Sequence, residues 1–244
     1  MRPCGMDIRA FVDRTWAEQF GLDLETFARP GVHVVAPAPW LADYRGIFLL
    51  RVNDACIISA PPDIAHRVRD RSAGRAPDEV YTRRAAEELV GEDAGLVLGP
   101  SIHSYLDAST FRAPPPCDAR PLTAADRTSV DAFRDDVPDA EWSEGGFVPY
   151  PDVVWGAFED GRLLAMGNMT DFAGQPADVG IVTHTASRGR GYGTRLAGAM
   201  TAAALPTIMV IRYRALETNI RSRRVAAKLG FVDHGSNIAV RLRA

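Results

Sequence analysis

The sequence predicts an α/β fold built in two parts, and three observations predict it. Short strand-like runs alternate along the chain with capped helical segments. The run Ala113-Pro114-Pro115-Pro116 interrupts them near the middle. The composition, 46% hydrophobic and 24% charged over 244 residues, is that of a chain able to bury a core and is far from the signature of disorder. Length alone is compatible with one large domain or two small ones. Consecutive prolines favour extended backbone and cannot continue a helix, so they mark the boundary. The expected division is a smaller α/β domain at residues 1–112, a linker at 113–116 and a second domain at 117–244.

In the first part, Val32 to Ala36, Ile47 to Val52 and Ala55 to Ala60 read as strands, the last two joined in a hairpin across Asn53-Asp54. Asp78 is the expected cap of a helix running to about Val90, whose apolar face is Val80, Ala85, Leu89 and Val90. No phosphate loop, ligand set or nucleophile motif stands in this part.

After the prolines the pattern sharpens. Ala119 to Leu122 reads as a strand, Thr123 as the cap of a helix to about Asp135, and Val153 to Phe158 with Arg162 to Met169 as a hairpin. Asp160-Gly161 supplies the positive φ angles of its tight turn. Asp178 to His184 is the next strand. A glycine-rich loop from Thr185 leads into a helix through Leu205, and Thr207 to Tyr213 reads as a strand. Ile220 to Leu229 is a helix between the cap Asn219 and the terminator Gly230, and Ser236 to Leu242 closes the chain as a strand.

Several function classes drop out. No apolar run approaches the roughly 18 to 20 residues of a membrane helix, and the first residues lack the apolar stretch of a signal peptide, so the expected setting is cytoplasmic, without a membrane partner. Cys4, Cys56 and Cys117 form no CxxC pair and the five histidines no metal spacing, so no disulfide framework and no metal is expected. The net charge is −3, made of −3 over residues 1–116, −9 over residues 117–187 and +9 over residues 188–244. The basic cluster Arg221, Arg223 and Arg224 has no interleaved aromatics, and no nucleic-acid partner is expected.

The segment Arg188-Gly189-Arg190-Gly191-Tyr192-Gly193-Thr194 sets three glycines between a strand and a helix. Glycines remove the Cβ atoms that block close approach, and the first amides of a helix lack intrahelical partners, so such a turn presents N–H groups to a phosphate. Arg188 and Arg190 add charge. Glycines in a turn also serve packing alone, and that alternative stays open here. No GxxxxGK[ST] exists, and counting from Gly189 the third glycine of a dinucleotide fingerprint falls on Thr194.

These residues resemble the GNAT superfamily of N-acetyltransferases, whose [QR]xxGx[GA] signature is matched by Arg188, Gly191 and Gly193. A second family element, an Asn opening the following helix and a Gly-Phe closing it, is similar to Asn219 through Gly230-Phe231. The resemblance covers residues 117–244. It implies a mixed sheet flanked by helices, acetyl-CoA as acyl donor, and an amine, of a small molecule by expectation, as acceptor, with room for a homodimer. It also implies that the strand Asp178 to His184 splays from its neighbour and that Ile181, Val182 and Thr183 pair with the pantetheine arm. The amides from Gly189 to Thr194 would then hold the pyrophosphate, and Asn219 and Ser222 the pantetheine.

The chemistry needs a neutral amine, a donor for the developing oxyanion and a proton for the thiolate. The expected oxyanion donor is the N–H of Val182 or a neighbour. Asp178 is the expected base, although on a pleated strand it lies about 13 Å from Val182. Glu144, or Glu141, is the alternative, in company with Trp142, Phe147, Tyr150 and Trp155, which could enclose a cationic amine. The Tyr that many relatives carry seven residues after the Asn is here Ala226. Ser222, Tyr213 or solvent could replace it, and a non-catalytic acyl-CoA sensor stays open as the alternative function.

Overall fold

The computed structural model describes residues 7–172 and 174–243. Its helices are α1 (Ile8–Phe20), α2 (Leu24–Ala28), α3 (Pro62–Ser72), α4 (Pro77–Val80), α5 (Arg83–Val90), α6 (Arg127–Asp135), α7 (Asp139–Glu144), α8 (Tyr192–Ala204) and α9 (Ile220–Leu229). The strands are β1 (Gly31–Val35), β2 (Gly46–Val52), β3 (Ala55–Ser59), β4 (Ala94–Leu106), β5 (Asp118–Pro121), β6 (Val154–Glu159), β7 (Arg162–Phe172), β8 (Gln175–Thr183), β9 (Ile211–Leu216) and β10 (Val232–Leu242). The chain forms two compact units, one running to His103 and taking in Ala215–Asn219 and the residues from Asp233 on, the other made of Ser104–Arg214 and Ile220–Val232.

In the first unit the strand order is β1-β3-β2-β10-β4. The expected hairpin forms, with Val52 opposite Ala55 and Asn53 at φ 46°. Asn tolerates that left-handed backbone better than other residues with a side chain. The helix expected from Asp78 to Val90 is broken in two. Tyr81 leaves α-helical geometry at ψ 58°, and Thr82 rather than Asp78 caps α5, its Oγ1 accepting the Ala85 N–H at 3.0 Å. Ile47, Leu49, Ile58, Val68, Leu89, Ile238 and Val240 share one core.

The last strand therefore packs with the first part of the chain. β10 runs antiparallel to β2, from Ser236 opposite Arg51 to Arg241 opposite Gly46. The division of contacts also falls at His103 and Ser104 rather than at the proline run. Consecutive prolines dictate extended backbone, and extended backbone can pack. A Cβ on Gly198 of α8 would stand 2.3 Å from Pro114 Cγ, so this segment lies against a helix of its own unit.

In the second unit the order is β9-β8-β7-β6-β5. Asp160 at φ 50° and Gly161 at φ 74° make the expected turn between β6 and β7. β7 and β8 are antiparallel, from Ala165 opposite Thr183 to Thr170 opposite Asp178. The strand expected at Thr207 begins only at Ile211, because the Ile208 N–H still bonds Ala204 O in the last turn of the preceding helix. Phe133, Trp142, Phe147, Met166 and Val182 form the core on the α6 and α7 side. No helix among the described residues is long and apolar enough to cross a membrane.

Candidate functional site

The three glycines after β8 have different physical reasons. Gly189 and Gly191 adopt φ 78° and 86°, a left-handed backbone that a side chain would strain. A Cβ at either would have no heavy atom within 4 Å, so both face open space. Gly193 is needed for contact instead: its Cβ would lie 2.9 Å from Thr183 Oγ1 and 3.3 Å from Ile181 Cδ1, so glycine lets α8 seat on β8.

Gly191 caps α8, a helix of 13 residues, and its carbonyl takes up the Arg195 N–H at 3.0 Å. Helix geometry then leaves the amides of Tyr192, Gly193 and Thr194 without intrahelical acceptors at the positive end of the dipole. The loop feeding them is fixed. The His184 N–H donates to Leu164 O at 2.9 Å, and the Thr185 N–H to Asp136 Oδ2 at 3.1 Å.

Both flanking arginines are engaged with carboxylates. Arg188 donates through Nε to Thr183 O at 3.2 Å and grips Glu141 with both ends of its guanidinium, one contact at 3.1 Å. It thereby ties α7 to the end of β8. Arg190 donates to Glu159 Oε2 at 2.8 Å, and Arg190 and Arg195 lie 5.2 and 4.5 Å from the Tyr192 ring centre. The hydrogen bond from the Tyr192 hydroxyl holds Glu159 below the usual carboxylate range, with Arg190 adding to the effect. Nothing near Glu159 in the sequence marks this role, because a hairpin end reaches a loop far along the chain only in the fold.

β8 and β9 run parallel and pair at Asp178 opposite Arg212 alone among the described residues. Beyond that point Ile181, Val182 and Thr183 pair with no residue of β9 among the described residues. Side chains alternate along β8. Ile181 and Thr183 face α8, whereas Val182 is buried with Phe133, Trp142 and Phe147, and a Cβ on Gly180 would come 2.1 Å from Gly145 O.

At that pairing Asp178 is 6% exposed and its Oδ2 accepts from Arg212 Nη2 at 2.7 Å, with Arg214 Nη2 at 3.9 Å. Asp178 Oδ1 and Arg212 Nε are buried without hydrogen-bond partners. The sequence reading missed Arg212, although an Arg-Tyr-Arg run on a strand beside a lone acid was a usable signal. Tyr213 follows on the other face. Burial pushes its hydroxyl up to about 12, the nearby Asp178 charge adds to the rise, and the hydrogen bond with Ser222 of α9 opposes it. Ala226 is buried one turn on from Ser222.

The structure thus gathers Ile181, Thr183 and Arg188 to Thr194 around one end of β8, and Asp178, Tyr213 and Ser222 around the neighbouring strand and helix. Glu144 is exposed at the end of α7 and belongs to neither group. Asn219 is half-buried, falls by contacts in the first unit and donates its N–H to Leu216 O at 2.9 Å. Trp142 and Phe147 stack at 4.4 Å, but the cation over Trp142 is the chain's own Arg134 at 4.9 Å, so that face is not free for an amine. Among the described residues no group of three or more His, Cys, Asp or Glu side chains is gathered to hold a metal.

Residues 110–232 match a family profile described as an acetyltransferase (GNAT) domain. Among solved structures the chain is similar to an acetyltransferase from the GNAT family from Colwellia psychrerythraea, at 16% identity and a TM-score of 0.48, covering 64% of this chain and 61% of that one. It is also similar to a GCN5-related N-acetyltransferase-like protein from Streptococcus suis, at 14% identity and a TM-score of 0.46, covering 96% and 100%. A putative acetyltransferase from the GNAT family from Novosphingobium aromaticivorans stands at 22% identity and a TM-score of 0.43, covering 62% and 67%. No protein of curated function matches the sequence.

Proposed function

Because the chain belongs to the GNAT acetyltransferase family, we propose that it moves an acyl group from an acyl-CoA, acetyl-CoA in the first instance, to the primary amine of a small molecule. The observation that carries this is the cradle at the start of α8: two left-handed glycines facing open space, next to a strand whose edge has lost its neighbour. A thioester on a long arm ending in a diphosphate needs both features, one for the charge and one for the arm.

When bound, acyl-CoA supplies the acyl group already activated as a thioester. The amides from Gly189 to Thr194 would hold its phosphates, with Arg188 fixing the loop through Glu141 and Arg190 supplying charge at the rim. The free edge of β8 offers the N–H and C=O of Ile181 and the N–H of Thr183 to the arm; the Val182 N–H turns to β7, in step with the His184 N–H that bonds Leu164 O, so the Ile181 N–H would donate to the thioester oxygen. Ser222 would orient the arm on the α9 side.

Two proton positions complete the chemistry. Arg212 holds Asp178 through Oδ2, and Oδ1 keeps lone pairs free to accept a proton from the acceptor ammonium, directly or through water. The Tyr213 hydroxyl, raised to about 12, is protonated at neutral pH and can deliver a proton to the departing thiolate through Ser222. This pair occupies the role left open at Ala226. Glu144, in contact with solvent, is the alternative base.

Incubation of the protein with acetyl-CoA and a panel of primary amines, read by release of free thiol, tests the reading. Amine-dependent thiol release is the expected result. Saturable acetyl-CoA binding with no release for any amine would favour the acyl-CoA sensor.

A further inference from the structure

β1 stands at the end of the strand order in the first unit, paired on one side with β3 and on the other with no strand among the described residues. Its polar groups can be assigned from the ladder. The Gly31 N–H donates to Asp54 O at 3.0 Å, and Val35 O accepts from the Ala60 N–H at 3.1 Å. In a parallel pair alternate residues turn their N–H and C=O to the partner, so Gly31, His33 and Val35 face β3. Val32 and Val34 therefore aim both their N–H and their C=O away from the sheet. Such a row of unpaired groups is a template for another strand.

The edge opens into a groove of about 510 Å³ between β1 and the C-terminal end of α3. The side chains of Val32 and Val34 turn to the core that α3 covers, so α3 forms the wall on their face. The charged and titratable residues lining the groove are His33, Arg69 and Arg75; no acidic residue lines it. Arg75 Nη2 donates to Glu79 O at 2.6 Å and the His33 Nε2–H to Arg29 O at 2.8 Å, which holds both in place. Arg69 is exposed.

We propose that this edge binds an extended peptide segment bearing acidic side chains at alternate positions. Four main-chain hydrogen bonds to Val32 and Val34 would add it to the sheet as a further strand, and every second side chain would then face the arginines of the α3 wall. A second copy of the chain is a poorer occupant. Two-fold pairing of β1 with itself sets His33 opposite His33 and brings two arginine-lined rims together, whereas an acidic strand meets them with opposite charge.

The test is fluorescence anisotropy with a labelled, capped heptapeptide of alternating valine and glutamate. We expect saturable binding by the full chain and none by the same peptide N-methylated at alternate amides, a comparison that uses the unaltered protein. Arg69→Glu should weaken binding roughly fivefold, since an exposed charge contact is worth up to about 1 kcal/mol, and should favour a valine–lysine peptide instead. Val34→Pro removes an outward N–H while sparing the β3 ladder; it should abolish binding, with circular dichroism checking that the fold is kept. Absence of binding, equal binding of the N-methylated or lysine peptide, or a stable dimer of the chain that Val34→Pro dissociates would each overturn the proposal.

Discussion

Gly191 is where the cradle can be tested with the least damage to the fold. A side chain there meets no heavy atom within 4 Å, so it causes no clash, and its only conformational cost is the φ of 86°. For most residues that cost is about 1–2 kcal/mol, and Asn, which tolerates left-handed backbone, pays less of it. Gly191→Asn and Gly191→Asp therefore place nearly the same volume at the same point and differ by one negative charge. A carboxylate about 4 Å from a bound phosphate charge is repelled by about 1 kcal/mol in water and about 4 kcal/mol at the dielectric of a protein surface. Coenzyme A should thus bind the Asp variant at least roughly fivefold more weakly than the Asn variant. Isothermal titration at low salt reads the ratio directly. Thermal shift is the companion measurement: coenzyme A at a hundred times its Kd should add about 2.7 kcal/mol to the wild type and much less to Gly191→Asp. Equal affinities in the wild type and both variants would refute the assignment of the phosphates to this loop.

Three further outcomes are expected. Asp178→Asn should lower turnover most near neutral pH and less at high pH, where the acceptor amine is already neutral, with cofactor affinity almost unchanged; turnover equal to wild type across pH 6 to 9 would move the base to Glu144. It should also cost stability, because breaking a buried ion pair by removing one partner costs about 3–5 kcal/mol at the extreme, and adding Arg212→Gln should restore stability in denaturant unfolding but not activity. Tyr213→Phe should reduce kcat while leaving the KM for acetyl-CoA unchanged. Because folding raises the hydroxyl above its ordinary value of 10 to about 12, the wild type should lose stability between pH 10 and 12, where the unfolded chain releases that proton first, and the Phe variant should lose less; identical pH–stability curves would contradict the burial. Gly193→Ala should destabilise by about 1–3 kcal/mol through the contact with Thr183 Oγ1, and Thr183→Ala in the same chain should recover most of the loss in thermal unfolding.

What the sequence made legible depended on whether the signal was local. The turn at Asp160-Gly161, the hairpin across Asn53-Asp54, helix α9 ending at Gly230, and the left-handed backbone at Gly189 and Gly191 all rest on φ preference or capping within a few residues and are found where the sequence places them, whereas Gly193 serves a contact between α8 and β8. The Asp78-to-Val90 helix fails for the same local reason: Thr82 offers a better cap in its middle, and propensity averaged over a window hides it. α1 shows a different gap. Val12, Trp16 and Phe20 repeat at helical spacing behind the cap Asp7 and are buried, so its pattern was present but unread.

Non-local partners are what one sequence conceals. Nothing near Ser236 indicates that its strand pairs with Arg51, and nothing in a proline run says whether a helix such as α8 lies against it. The same limit governs the chemistry. Asp178 is a lone acid on a strand until the parallel register sets Arg212 beside it, and that single pairing decides two properties at once. It leaves one carboxylate oxygen without a partner and marks where β8 and β9 part. If Asp178 takes a proton, Arg212, already buried against the Phe172 ring at 4.2 Å, must tolerate a neutral neighbour. A transient proton on Oδ1 leaves the Oδ2 contact with Arg212 in place, so the ion pair becomes a charged hydrogen bond without losing its geometry. That is the physical reason to expect the base and the structural role in one side chain, and to expect the double variant to separate them.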